Sequence, residues 1–232
     1  MKKKLIYFLF LASFLPSCES KSLDPVDKLL GYDYFPVEVG YFISYNVKES
    51  IYKVNQPVEQ KSYQLKEVFS EKFADQSGAQ IYKIVRYQRE NGRKNWQIVS
   101  ELTASKSRLN AVRNEFNFSF IKLVFPLEKD KTWNGNVLNN LGTERYVMQD
   151  LAKEFTFSGK KYSKTVTVIE NNDSTLVNKD VRKSVYSEQI GLIYSKSEQL
   201  AYCQDQKKGC LGKAIIESGR ILEMSIFDSG KE

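Results

Sequence analysis

The chain has 232 residues, a formal net charge of +7 and no histidine. Without histidine it can build no Ser-His-Asp or Cys-His catalytic arrangement and none of the common zinc or iron sites. Its basic residues, such as Arg86, Arg89, Arg93 and Lys94 or Lys160, Lys161 and Lys164, are interleaved with polar, acidic and aromatic ones. That is the pattern of solvated strand faces, and no nucleic-acid partner is expected.

Lys2, Lys3 and Lys4 precede an uncharged run from Leu5 to Leu15. These are the n-region and apolar core of a signal peptide. The run is too short to span a bilayer, which takes about 20 apolar residues. Leu15-Pro16-Ser17-Cys18 resembles the lipobox of bacterial lipoproteins, with Pro16 where a small residue is usual. The resemblance implies that residues 1–17 are removed and that Cys18 becomes the acylated first residue, joined to lipid through a thioether. More than one acyl chain, at about 0.8 kcal/mol per buried methylene, makes a firm membrane anchor. Residues 18–30 then read as a tether, polar from Glu19 to Lys28, and ten extended residues reach roughly 35 Å. Glu19-Ser20-Lys21 leaves open whether the domain faces the periplasm or the outside. Without Lys2, Lys3 and Lys4 the net charge falls to +4.

One helical turn is expected at 26–30. From there the sequence predicts strands, because Tyr, Phe, Val and Ile recur with a period of two. Strands are expected at 41–47, 62–73, 80–90, 95–104 and 108–123, the last with a bend. Further strands are expected near 134–140, 144–149, 161–170, 176–187, 191–195 and 214–228. Turns are expected at 74–78, at Ser158-Gly159 and at Asn171-Asn172-Asp173. Asn91-Gly92 is the strongest hairpin signal, since both residues tolerate positive φ. The expected fold is all-β: an antiparallel curled sheet, barrel-like or sandwich, with few helices, formed by a single β domain over 31–232. Residues 35–47 and 125–137 share Phe-Pro-x-Glu at one end and Asn-Val at the other. This allows two related halves dividing near 124.

Tyr34-Phe35-Pro36-Val37-Glu38-Val39-Gly40, followed by Tyr45 and Val47, resembles the opening of a group of Bacteroidota outer-membrane lipoproteins. Their pattern is Tyr-Phe-Pro-Leu, a Gly, then Trp-x-Tyr-x-Val; here Ile43 stands for the Trp. Phe125-Pro126-Leu127 with Trp133 and Gly135 is similar to their second signature, with Asp130 where Gly is common. Ile190-Gly191-Leu192-Ile193-Tyr194 is similar to a third. The resemblance implies an all-β lipoprotein of the outer membrane and carries over no catalytic residue. Asp173-Ser174-Thr175 resembles a three-residue O-glycosylation acceptor of exported Bacteroidota proteins, which makes Ser174 a candidate.

Ser50 with Lys53, Ser119 with Lys122, and Ser158 with Lys161 have Ser-x-x-Lys spacing. They lie in strands or turns and lack the companion motifs of Ser-Lys enzymes. Glu115, Glu128 and Asp130 are the acids near aromatic residues that could serve glycoside cleavage. Asn171-Asn172-Asp173-Ser174 is the one candidate calcium loop, and a plain turn is the simpler reading. No metal, cofactor or catalytic residue is expected. With Cys18 taken by lipid, Cys203 and Cys210 are the two thiols left in an oxidising space, and a disulfide between them is expected. The leading functional expectation is a non-catalytic membrane-anchored lipoprotein that binds or scaffolds an envelope component, whether protein, lipid or glycan. The alternatives are a carrier or sensor holding an apolar ligand in a curled sheet, and a glycan hydrolase.

Overall fold

The computed structural model describes residues 25–232. A short helix, α1 (Pro25–Leu30), and a 3-10 turn (Tyr32–Tyr34) lead into twelve strands. The first six are β1 (Tyr41–Tyr52), β2 (Glu59–Ala74), β3 (Gln80–Arg89), β4 (Gln97–Lys106), β5 (Asn110–Glu115) and β6 (Phe118–Val124). The second six are β7 (Thr132–Asn134), β8 (Arg145–Phe157), β9 (Lys160–Ser174), β10 (Asn178–Ser187), β11 (Gly191–Tyr202) and β12 (Ile216–Lys231). All pair with their chain neighbours except at one point. There β1 pairs with β12, so that the order runs β6 to β1, then β12 to β7, in a single antiparallel sheet that forms a nearly closed barrel.

The seam lies between β6 and β7, the sheet's two edges. Unpaired strand edges invite association, and here side chains and a turn cover them. Ile121 N–H donates to the Gly135 carbonyl at 2.9 Å, and the Trp133 indole N–H donates to the Ile121 carbonyl at 2.9 Å. The Asn139 amide donates to the Ser119 carbonyl at 2.9 Å. Gly135 is needed at this join, because a Cβ there would stand 2.3 Å from the Tyr146 ring.

Period-two alternation sends Ile43, Tyr45 and Val47 of β1, Leu65 and Phe69 of β2, and Val166 and Val168 of β9 inward. All are buried in one core with Phe125, Tyr146 and Met148. A second, external cluster forms where the β8–β9 hairpin folds over the outer wall. Phe155 and Phe157 stack on Tyr194 at 5.5 and 4.9 Å, beside Tyr162, Val185 and Ile193. β8 bends there at Asp150 and Ala152, both at positive φ.

Connections alternate between two ends. The lower end carries the N-terminal segment, which closes it. Tyr34 and Phe35 are buried, Tyr32 packs edge-on against Phe125, and the Asp33 carbonyl accepts the Gln189 N–H at 2.8 Å. Leu127 N–H donates to the Leu30 carbonyl at 3.2 Å. The helical turn expected at 26–30 is α1, and its Leu30 carbonyl docks the end of the tether segment on the barrel. The upper end carries connections 53–58, 90–96, 116–117, 135–144, 175–177 and 203–215.

The segments 35–47 and 125–137 each run from the lower end into the first strand of a set of six, β1 and β7. Tyr41 N–H donates to the Glu38 carbonyl (3.0 Å) and Lys131 N–H to the Glu128 carbonyl (3.2 Å). Gly40 and Asp130 both take positive φ, 84° and 62°. Their N–H groups reach the neighbouring second strand at Phe69 and Met148, each at 2.8 Å. The two segments make the same turn, and Asp130 adopts the left-handed conformation that Gly takes in the first copy.

Several local expectations are corrected. Asn91-Gly92 makes no two-residue hairpin. It lies in a seven-residue connection, with neither residue at positive φ, because the Asn91 side chain accepts the Arg93 N–H and its carbonyl the Lys94 N–H. The two-residue turns with both residues at positive φ are Ser158-Gly159 and Phe116-Asn117. The expected strand at 134–140 shrinks to β7, because the Asn134 side chain takes the N–H groups of Asn136 and Glu144 and starts a loop. Asn171-Asn172-Asp173 is strand rather than turn. The turn comes at 175–177, where the Thr175 hydroxyl accepts the Val177 and Asn178 N–H groups.

Candidate functional site

The barrel interior holds a cavity of about 270 Å³, at the small end of the range for ligand sites. Its floor is apolar. Phe35 and Pro36 of the N-terminal segment stop the lower end, and Ile43, Leu65, Phe69, Leu192, Leu222 and Met224 form the walls above them. Ionic side chains stand among these apolar ones, and Glu67 pairs in register with Ile43 near the lower end of β1. Glu67 projects inward from β2 between Leu65 and Phe69. Its carboxylate accepts Arg86 Nε and Nη2 at 2.9 and 2.7 Å, and also Arg113 Nη2. Arg113 Nε lies against Glu115 without the angle of a hydrogen bond. Across the cavity Lys122 Nζ sits 3.5 Å from both oxygens of Glu170, and the Ser184 hydroxyl donates to Glu170 at 2.7 Å. Arg182 is held by Asp180 at 2.8 Å and by Glu144. Arg220 pairs with Glu49 at 2.6 Å.

Electrostatics favour the ionised state of Glu67 and Glu115. Burial alone would push the Glu67 carboxyl up, but the Arg113 and Arg86 charges and their hydrogen bonds outweigh it and carry it down to about 2. Glu115 is opposed by burial in the same way and lowered by Arg113, Lys122 and Arg86. Burial, then Glu170, raises Tyr186, while burial, then Glu67, keeps Tyr45 well above the ordinary phenol range. The Tyr45 hydroxyl donates to the Leu192 carbonyl at 3.1 Å. The mouth is at the upper end, where Phe116 and Arg220 line the cavity and are largely exposed.

Of the candidate catalytic, metal-binding and modification residues, only Glu115 and Lys122 line the cavity. Glu128 and Asp130 sit exposed at the lower end, at the far end of the barrel from Glu115. Arg113, Lys122 and Arg86 favour the ionised form of Glu115, where a general acid for glycoside cleavage is one whose pKa is raised. Lys122 is paired with Glu170, and Ser119 accepts the Asn114 amide instead. Ser50 bonds Gln60, and Ser158 stands in the tip of the β8–β9 hairpin. Asn171 to Ser174 form the end of β9, and among the described residues no cluster of Cys, Asp and Glu is placed to hold a metal ion. Ser174 is exposed at the upper end. Cys18 lies outside the described residues.

Cys203 and Cys210 are joined, with Cα atoms 5.7 Å apart. The bridge closes an upper loop on itself rather than stapling β11 to β12, and Cys203 N–H donates to the Ile215 carbonyl at 2.8 Å. A loop this short stabilises by about 2.5 kcal/mol at most through chain entropy. Replacing both cysteines by Ser is therefore expected to lower the melting temperature by roughly 5–10 °C at most and to leave the strand content unchanged by circular dichroism. Loss of the whole transition would show that the loop holds the barrel together.

The interior charges could have been read from the strands. Leu65-x-Glu67-x-Phe69, Ile84-x-Arg86 and Ala111-x-Arg113-x-Glu115 each put a charge at the period-two position of an apolar face. No family model, curated protein or solved structure matches the chain.

Proposed function

We propose that the protein is a non-catalytic, lipid-anchored lipoprotein of the outer membrane. Its barrel holds a small amphiphile, with an apolar chain on the floor and a polar or anionic head at the mouth. The observation that carries this reading is the cavity stopped below by Phe35 and Pro36 and lined both by apolar residues such as Ile43, Leu65, Leu192, Leu222 and Met224 and by Arg113, Lys122, Arg182 and Arg220. The buried apolar lining favours a hydrocarbon chain through the area it removes from water. The cations beside it favour a head group that can share their paired carboxylates' place. The anchor on Cys18 and the outer-membrane address come from the sequence and are part of the proposal. A scaffold for an envelope component draws on a different observation, the apolar residues of the upper rim, and a stoichiometric co-purifying protein would decide for it.

The test is mass spectrometry of an organic extract of the natively purified protein, compared with a Met224→Trp variant. Met224 lines the cavity, and an indole there fills space that is empty, so the cost should stay within about 1–3 kcal/mol. An amphiphile is expected in the extract of the natural protein and absent from that of the variant, with both melting cooperatively. Equal amounts in both extracts, or none in either, would sink the reading.

A further inference from the structure

We propose that the upper rim of the barrel is a docking surface for an anionic lipid bilayer facing the one that holds the Cys18 anchor, so that the cavity mouth meets this second membrane surface end-on. Five of the six upper connections carry exposed apolar side chains, among them Val54, Phe116, Leu138, Leu176 and Leu211. These are spread around the mouth in separate loops rather than gathered on one wall. A ring of apolar tips suits a plane into which each tip sinks a short way, and a globular partner would need a contiguous patch. Two of the loops are in contact with a third. The β1–β2 connection and the disulfide loop line a shared groove with Val54, Val58 and Ile215, and Gln204 of the disulfide loop donates to the Leu176 carbonyl at 3.0 Å.

Charge selects the occupant. Arg93, Lys94, Lys207, Lys208 and Lys213 stand on these connections and make no ion pair among the described residues. The carboxylates on these connections are fewer: Glu90 stands beside Arg93 and Lys94, Asp205 accepts the Lys207 and Lys208 N–H groups, and Glu144 holds Arg182. The lower end has the opposite balance, with Asp33, Glu38, Asp75, Asp130 and Glu188 among its connections. The molecule is thus polar along its axis, with its basic, apolar-tipped end opposite the end where α1 enters. Basic residues among apolar tips are what anionic head groups attract. The rim argument is independent of what fills the cavity; only the delivery of an amphiphile through the mouth rests on the function proposed above.

The full-length chain carrying Cys18→Ser, so that no lipid holds it by its lower end, and an environment-sensitive fluorophore on Val137→Cys in the β7–β8 connection, is mixed with vesicles with or without phosphatidylglycerol. A blue shift of the emission, with quenching by brominated lipid, is expected in the anionic vesicles and not in the zwitterionic ones. Lys207→Ala with Lys208→Ala should weaken the effect roughly thirtyfold, and Phe116→Ser with Leu176→Ser should abolish it without changing the melting temperature. The Met224→Trp variant should keep the shift, so that failure of the cavity reading and failure of this one are told apart. No shift in either vesicle type overturns the proposal, as does a shift that appears only when envelope proteins are added.

Discussion

Glu67→Gln is expected to destabilise the barrel by about 3–5 kcal/mol, the cost of breaking a buried ion pair by removing one partner. Glu67 is 3% exposed, and the two guanidinium groups on it, Arg86 and Arg113, are 13% and 11% exposed. Gln keeps the shape and one acceptor oxygen, so the variant isolates the charge. The two arginines would then share Glu115, which stands 3.9 Å from Arg86. For a domain of this size each kcal/mol moves the melting temperature by roughly 2–4 °C, giving a fall of roughly 6–20 °C. The sign of the pH dependence follows from the carboxyl, which lies at about 2 in the fold against about 4.3 in an unfolded chain. Its folded value is depressed, so its contribution is complete above about pH 5 and is lost as pH falls toward 2. The gap between natural protein and variant should therefore narrow as melts are taken from pH 7 down to pH 3. A gap that stays constant, or one below 1 kcal/mol at pH 7, would show that the charge on Glu67 does not hold the arginines.

That cluster marks the line between what the sequence states and what it leaves to tertiary structure. Alternation is a local property, and it places β1, β2, β3 and β9 within a few residues, because one face of each is buried and the other is solvated. Alternation also puts Glu67 on an apolar face. It does not say that Arg86 on β3 and Arg113 on β5 converge on that carboxylate, since this depends on the sheet curling. Nor does it say that the sheet curls far enough to enclose a cavity. The pairing of β1 with β12 joins residues such as Tyr41 and Lys231 that nothing local connects. The Asn91-Gly92 turn failed for a related reason. A dipeptide's tolerance of positive φ is a permission, and the Asn91 side chain found closer donors in Arg93 N–H. Phe116-Asn117, with a bulky residue at positive φ, is held there by the strands on either side, which propensity does not count. The disulfide was legible because it needs only compartment, count and reach.

Cys18→Ser is expected to remove the lipid from the protein altogether. The reasoning is chemical. A hydroxyl does not replace the thiol through which the diacylglyceryl thioether forms, and the lipobox resemblance of Leu15-Pro16-Ser17-Cys18 puts that thiol directly after the apolar run from Leu5 to Leu15. The consequence is all-or-none rather than graded, because each acyl chain contributes about 0.8 kcal/mol per buried methylene and all chains on the residue are lost together. In cells fed a fatty-acid analogue, the natural protein should carry the label and fractionate with membranes, while the variant carries none and loses lipid-mediated attachment. Cys18 lies outside the described residues 25–232, which hold the whole barrel, and the folded core of the variant should melt at the same temperature as that of the natural protein. Unchanged labelling in the Ser variant would mean that another residue carries the lipid, and unchanged membrane retention without label would mean that the upper rim or a protein partner suffices to hold the barrel at the bilayer.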